Sequence, residues 1–335
     1  MSDPFNPYAE LYINPQGPGD KRPTAMRVLE DSNLLNAWPD KVVMITGATS
    51  GIGVETARAM YATGAQVYLM VRNPEKAAPI VADITSSTVG RGRIDVIEMD
   101  NDSLASVKRA AREFLSKSSR LHVLINNAGI MACPRSTTAD GHERHFGVNY
   151  LAHFTLTLLL LPALLSSSPS RILWLSSPIH RLSPPSHIPP PPSPTPYDPL
   201  LAYSRSKLAM IWASNHLHRL YHARGLRSLA LSPGAVWSEN LLCYAAPAQR
   251  AAWQSDGEMM RRMQNTAQGA ATSVWAATAG VWGEEGRGGR YLVNCSEAGP
   301  GEGDDGFGAN CYDEEGEERL WRVSLEMVGL EGPVV

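Results

Sequence analysis

Short apolar runs recur along residues 42 to 293, separated by stretches with helical spacing, and this alternation limits the possible folds more than any other feature of the chain. Strand-like runs fall at 42–45, 67–71, 94–99, 121–125, 171–175, 227–231 and 289–293. Helix-like stretches fall between them, at 52–63, 74–87, 103–117, 139–161 and 200–223. Gly64 stops the first of these, as a glycine just past a helix end does. Strands alternating with helices predict a parallel, doubly wound α/β sheet. The runs are apolar at successive positions, so both faces of the sheet must be covered by helices.

Two segments stand outside the alternation, and a third breaks into it. Residues 1–40 scatter Pro4, Pro7, Pro15, Pro18 and Pro23 among polar residues with no sustained period, and read as an N-terminal extension. Residues 41–335 form the expected domain. Within it, 183–199 is a proline-rich insertion of polyproline character. Near the end, 299–318 is rich in Gly, Asp and Glu and reads as a solvated loop.

The 335 residues are 43% hydrophobic, enough for a sizeable core. A formal net charge of −3 gives no bulk attraction to nucleic acid or an anionic membrane. Cys133, Cys243, Cys295 and Cys311 form no Cys-x-x-Cys pair and join no Cys/His cluster with metal spacing, so no metal is expected. They read as free thiols in a reducing compartment. The polar start lacks an apolar signal core. The longest apolar run, around 156–165, is broken by Pro162 and reads as far too short to span a bilayer. A soluble, cytoplasmic protein is expected.

The first strand runs into Thr46-Gly47-Ala48-Thr49-Ser50-Gly51-Ile52-Gly53, which opens a helix. A glycine-rich turn at that junction lets backbone approach a pyrophosphate, and the helix start offers free N–H groups and a partial positive charge. Later, Tyr203 and Lys207 lie four apart on one helical face. An ammonium beside a phenol favours the phenolate and lowers its pKa, which suits a tyrosine for proton transfer.

The turn resembles the Thr-Gly-x-x-x-Gly-Ile-Gly of the short-chain dehydrogenase/reductase family, and further motifs follow in that family's order. They are Asn126-Asn127-Ala128-Gly129 after the fourth strand, Asn149 on the next helix, Ser176-Ser177 ending the fifth strand, Tyr203-Ser-Arg-Ser-Lys207, and Pro233-Gly234 after the sixth. The resemblance spans about 41–330 and implies a single Rossmann-type domain. It implies cofactor contacts from Gly47, Thr49, Ser50, Gly51, Ile52, Gly53, Arg72, Asp100, Asn127, Ala128, Gly129, Tyr203, Lys207, Pro233, Gly234 and Val236. It assigns catalysis to Ser177, Tyr203 and Lys207, with Asn149 completing a proton relay through a water. The second strand ends Val71-Arg72-Asn73, with no acid to hold ribose hydroxyls. Arg72 can pair with a phosphate, and by the resemblance it marks NADP(H) over NAD(H). Ser50 stands where many NADP-dependent members carry a second basic residue.

The interval from Ser177 to Tyr203 and the sequence Ser176-Ser177-Pro178-Ile179-His180 resemble the retinol-dehydrogenase-like branch. His180 itself reads as a loop residue. The expected activity is interconversion of a carbonyl and an alcohol. Two alternatives are reduction of an imine or conjugated double bond on the same scaffold, and an NADP(H)-binding regulatory protein without catalysis. A substrate lid is expected at about 236–257, holding Trp237, Leu241, Leu242, Tyr244 and Trp253. That apolar lining points to a small hydrophobic substrate of steroid, retinoid, terpenoid or polyketide type. Relatives pair the helices at 139–161 and 200–223 across a two-fold axis, which implies a homodimer or homotetramer, and the N-terminal extension is long enough to cap or obstruct that face.

Overall fold

The structure is a computed structural model and describes residues 3–190, 196–238, 243–283, 287–301 and 303–332. Two short helices, α1 (Ala9–Tyr12) and α2 (Ala25–Asp31), precede β1 (Val42–Thr46). There follow α3 (Gly51–Ala62), β2 (Gln66–Val71), α4 (Pro74–Ser87), β3 (Arg93–Glu98), α5 (Leu104–Lys117) and β4 (Val123–Asn126). A π-helical turn, Phe146–Leu151, continues as α6 (Ala152–Leu165), and then come β5 (Ser170–Leu175), α7 (Pro199–Tyr221) and β6 (Leu226–Leu231). Beyond β6 lie α8 (Pro247–Ser255), α9 (Gly257–Arg262), α10 (Thr266–Gly269), α11 (Ala271–Thr278) and β7 (Tyr291–Val293). The chain closes with β8 (Ser296–Glu297), β9 (Gly299–Pro300), β10 (Gly306–Phe307) and α12 (Glu314–Val328).

The main sheet runs β3-β2-β1-β4-β5-β6-β7-β8, parallel throughout except for β8, which pairs antiparallel with β7. Strand order reverses between β1 and β4, and a doubly wound sheet opens a crevice at that switch point. Alternate residues of each strand feed opposite layers. Val42, Met44, Ile172 and Trp174 pack with α5, α6, α7 and α12, while Val43, Ile45, Leu173 and Leu229 pack with α2, α3, α4 and α11. Every residue of β1 is buried, as a strand covered on both faces requires.

Four features differ from the sequence expectation. The N-terminal segment, over its described residues 3–40, is packed onto the domain: Val28 and Leu29 of α2 are buried, and the Asn36 and Trp38 amides donate to the Ala62 and Thr63 carbonyls. The seven residues of α2 are too few to register as a period. The helix expected from 139 begins only at Arg144. Gly141 turns the chain at φ +83°, and the Glu143 carboxylate then accepts from the His145 and Phe146 amides. Pro162 does not interrupt its helix, which runs 20 residues from Phe146 to Leu165. At a mean hydropathy of 1.7 it is long and apolar enough to cross a bilayer, yet 78% of it is buried as the core helix of its layer.

The fourth difference lies at 299–318, where the expected loop holds β9, β10 and the start of α12. Trp321 of α12 stacks edge-on to Phe154 at 5.1 Å, and the Ser324 hydroxyl lies 2.8 Å from that of Tyr150. This C-terminal helix therefore covers part of the α6–α7 face expected to pair with a second copy. The N-terminal segment lies on the opposite layer and does not cap that face.

Candidate active site

Everything assigned a role gathers at the C-terminal edge of the sheet. At the end of β1, Gly47 takes φ +69°, and a Cβ there would meet the Ala128 backbone at 2.8 Å. Gly53 faces the Gly47 carbonyl so closely that no side chain fits. Ser50 stands at the N-cap of α3 but makes no capping hydrogen bond, so the first amides of the helix stay open. A bare backbone concavity at an uncapped helix start fits a dinucleotide pyrophosphate. Thr49, Ser50 and Ile52 are half-buried around it. Asn127 and Ala128 form its far wall, both amides donating to the Thr46 hydroxyl at 2.9 Å.

Tyr203 and Lys207 sit one turn apart on α7, and Lys207 Nζ lies 5.5 Å from the centre of the Tyr203 ring. The two serines before them face different ways. Ser176 is buried and donates to the Lys207 carbonyl at 2.8 Å. Ser177 is half-buried, accepts from the Ile179 amide at 3.4 Å, and its side chain stands near enough to the Tyr203 phenol to act on its protonation. Asn149 lies in the π-helical turn, a rare geometry that recurs at functional sites. Its amide accepts from Ile130 N–H and donates to the Ile130 carbonyl and the Ser206 hydroxyl, which ties the loop after β4 to α7. Gly129 completes the cluster: a Cβ there would stand 3.4 Å from Asn149 Oδ1 and 3.5 Å from Lys207 Nζ.

Burial governs the protonation of both titratable groups. It pushes the Tyr203 phenol up to about 12, against a partial lowering by the neighbouring Ser177 side chain. It pushes the Lys207 ammonium down to about 7. Desolvation is the largest cause at both groups. Lys207 donates to the Leu175 carbonyl at 2.6 Å.

The remaining positions spread along the same edge. Thr46 pairs in register with Met70, so Arg72, two residues further on, stands beside the turn. It is exposed and has no hydrogen bond or ion pair among the described residues. One carboxylate oxygen of Asp100 accepts from the Asp102 amide, and Ser103 caps α5. Gly234 takes φ +79° after Pro233, and Val236 packs near Ile52 against Gly269. Of the lid residues, Trp237 and Trp253 are half-buried and Tyr244 is 43% exposed, while Leu241 and Leu242 lie outside the described residues.

Two further groups escaped sequence reading. His153 Nε2 lies 2.8 Å from the Thr46 hydroxyl and its Nδ1 2.7 Å from the Asn149 carbonyl, joining the nucleotide turn to the catalytic layer. Beside Tyr203, the buried His145 ring lies 6.2 Å away. Glu143 Oε1 holds its Nδ1 at 2.9 Å and accepts from the Tyr197 hydroxyl at 3.0 Å. Burial would raise the Glu143 carboxyl, but hydrogen bonds from His145 and the Phe146 amide hold it below the usual range. Tyr197 thus fastens the end of the proline-rich insertion beside the site.

The short chain dehydrogenase family model matches residues 41–242, and the chain belongs to that family of Rossmann-fold oxidoreductases. It is 41% identical over 331 residues to the short-chain dehydrogenase/reductase prx1 of Penicillium roqueforti, covering 96% of this chain and 95% of that one. It is 38% identical to human retinol dehydrogenase 11 over 87% of both chains. Among solved structures, an uncharacterized protein from Mycobacterium paratuberculosis superposes with a TM-score of 0.68 at 29% identity, covering 93% of this chain and all of that one.

Proposed function

We propose that the protein is an NADP(H)-dependent enzyme that interconverts a carbonyl and an alcohol on a lipophilic substrate, with Tyr203 as general acid and base. The observation that carries this reading is Lys207 Nζ 5.5 Å from the Tyr203 ring and beside Gly129, with Ser177 next to the phenol. When bound, the nicotinamide supplies or accepts the hydride. The protein supplies orientation and the proton. In the reducing direction, the Ser177 hydroxyl donates to the carbonyl oxygen and opposes the charge growing there. Tyr203, raised to about 12, is protonated at neutral pH and gives its proton to the alkoxide. Lys207 stands next to the phenolate left behind and offsets its charge when protonated. Asn149 fixes the spacing between the loop after β4 and α7.

Arg72, exposed and uncommitted where an acid would favour NAD(H), is the partner for a 2′-phosphate. A lipophilic substrate is supported by Trp237 and Trp253 in the lid and by the retinol dehydrogenase among the relatives. Four unbridged thiols accord with a cytoplasmic setting. The test compares kcat/KM for all-trans-retinal and for glyceraldehyde, each with NADPH and with NADH. The reading expects retinal and NADPH to win. A preference of more than roughly tenfold for glyceraldehyde, about 1.4 kcal/mol of transition-state stabilisation, or equal use of both cofactors, overturns the corresponding half.

A further inference from the structure

Ser177 lies past the end of the sheet. The last ladder contact is the Ser176 amide donating to the Leu231 carbonyl at 2.7 Å, and Ser177 then caps the 3₁₀ turn Pro178–Leu182. What fixes its backbone is His180, which is wholly buried. His180 Nδ1 lies 2.7 Å from the Ser177 carbonyl, and its Nε2 lies 3.2 Å from the Gly308 amide nitrogen. A carbonyl can only accept and an amide N–H can only donate, so these partners admit one neutral tautomer. Nδ1–H donates to Ser177, and Nε2 accepts from Gly308. A second ring proton would point at the Gly308 N–H, and burial accordingly lowers the His180 pKa to about 4.

The same turn is closed from outside by the far end of the chain. Asn310 Nδ2 donates to the His180 carbonyl at 3.1 Å and to the Ser183 carbonyl at 2.7 Å. Arg181 Nη2 donates to the Gly303 and Gly306 carbonyls at 2.6 and 2.9 Å. Tyr291 of β7 packs edge-on to the His180 ring at 4.9 Å.

We infer that His180 is a positioning residue for Ser177: held between the Ser177 carbonyl and the Gly308 amide, it sets the backbone from which the Ser177 hydroxyl reaches Tyr203, and it makes residues 303–310 part of the active-site frame. The inference rests on the reading of Ser177 as the hydroxyl that binds the substrate oxygen. A ring moved by a fraction of an ångström misdirects that hydroxyl without touching the nucleotide turn.

The test is a double-mutant cycle in the full-length enzyme, with all-trans-retinal and NADPH as probes. His180→Phe keeps an aromatic ring against Tyr291 and deletes both hydrogen bonds. It is expected to lower kcat roughly ten- to hundredfold, as misplacement of a catalytic group does, with NADPH affinity unchanged. Added to Ser177→Ala, it is expected to lower kcat no further. Losses that multiply in the double variant show a role independent of Ser177 and overturn the inference while sparing the proposed function. Undiminished kcat in Ser177→Ala overturns both. Nitrogen NMR of the wild-type histidines supplies a readout that needs no variant to fold. A neutral Nδ1–H form of His180 is expected at neutral pH, and an Nε2–H or doubly protonated ring contradicts the lock.

Discussion

Burial takes the Lys207 ammonium from 10.5 to about 7, and this places one side chain at odds with the stability of the fold. Lys207 is 4% exposed and has no carboxylate against it among the described residues, so nothing offsets the desolvation of its charge. Between pH 7 and 10.5 the unfolded chain holds this proton and the folded chain does not, so stability must rise with pH through that window. One proton contributes at most about 1.4 kcal/mol per pH unit. Lys207→Met removes the titration. Its stability relative to wild type is therefore expected to fall steadily from pH 7 to pH 10 in denaturant melts, alongside loss of turnover. A difference that stays constant with pH would show that the lysine is charged in the folded state. Ser176 and Ser177 make the complementary point that adjacent hydroxyls differ by orientation alone. One is spent on the Lys207 carbonyl and the other reaches Tyr203.

Elements that carry both a pattern and a terminator were readable from sequence. The helix expected at 74–87 is found as α4 over those residues, because Asn73 caps it and Pro74 opens it. The inner strands were readable because a sheet buried on both faces needs unbroken apolar runs, whereas the edge strand β3 departs from that expectation, with Asp95 and Glu98 exposed and only Ile97 buried. Tyr203 and Lys207 share one helical face by their spacing, but it was their place after Ser176-Ser177 in the family's motif order that made the pair readable. What stayed hidden depends on partners distant in sequence. The acidic start of α12, Glu314-Glu315-Gly316-Glu317, reads as loop, yet acids favour a helix N-terminus, and Asp313 caps it. Its buried stripe of Leu320, Ser324 and Val328 is sparse enough to miss. The frame at 303–310 is built largely from backbone carbonyls and amides, which leave no compositional mark. His153 and Thr46 are 107 positions apart. The raised Tyr203 and lowered Lys207 follow from burial, which spacing does not report.

At the scale of the whole molecule, several buried histidines make the fold sensitive to acid. Burial lowers His122, His153, His180, His216 and His218 to about 4, from 6.5. Between those values the unfolded chain binds more protons than the folded one, so stability is lost as pH falls through the window. Calorimetry is expected to show Tm dropping from pH 6.5 to pH 4, with several protons taken up on unfolding near pH 5, and a flat Tm would mean these rings are charged in the fold. Such a core holds the sheet edge on which the glycine turn, Ser177, Tyr203 and Lys207 converge. The claim that depends most on that convergence is that the proton passes through the Tyr203 hydroxyl. Replacing it alone, in Tyr203→Phe, and measuring kcat for retinal reduction together with NADPH affinity tests this directly. An intact fold, unchanged NADPH binding and a kcat lower by about 10²–10⁴-fold, the usual contribution of a general acid, are expected. Turnover near the wild-type rate would contradict the claim.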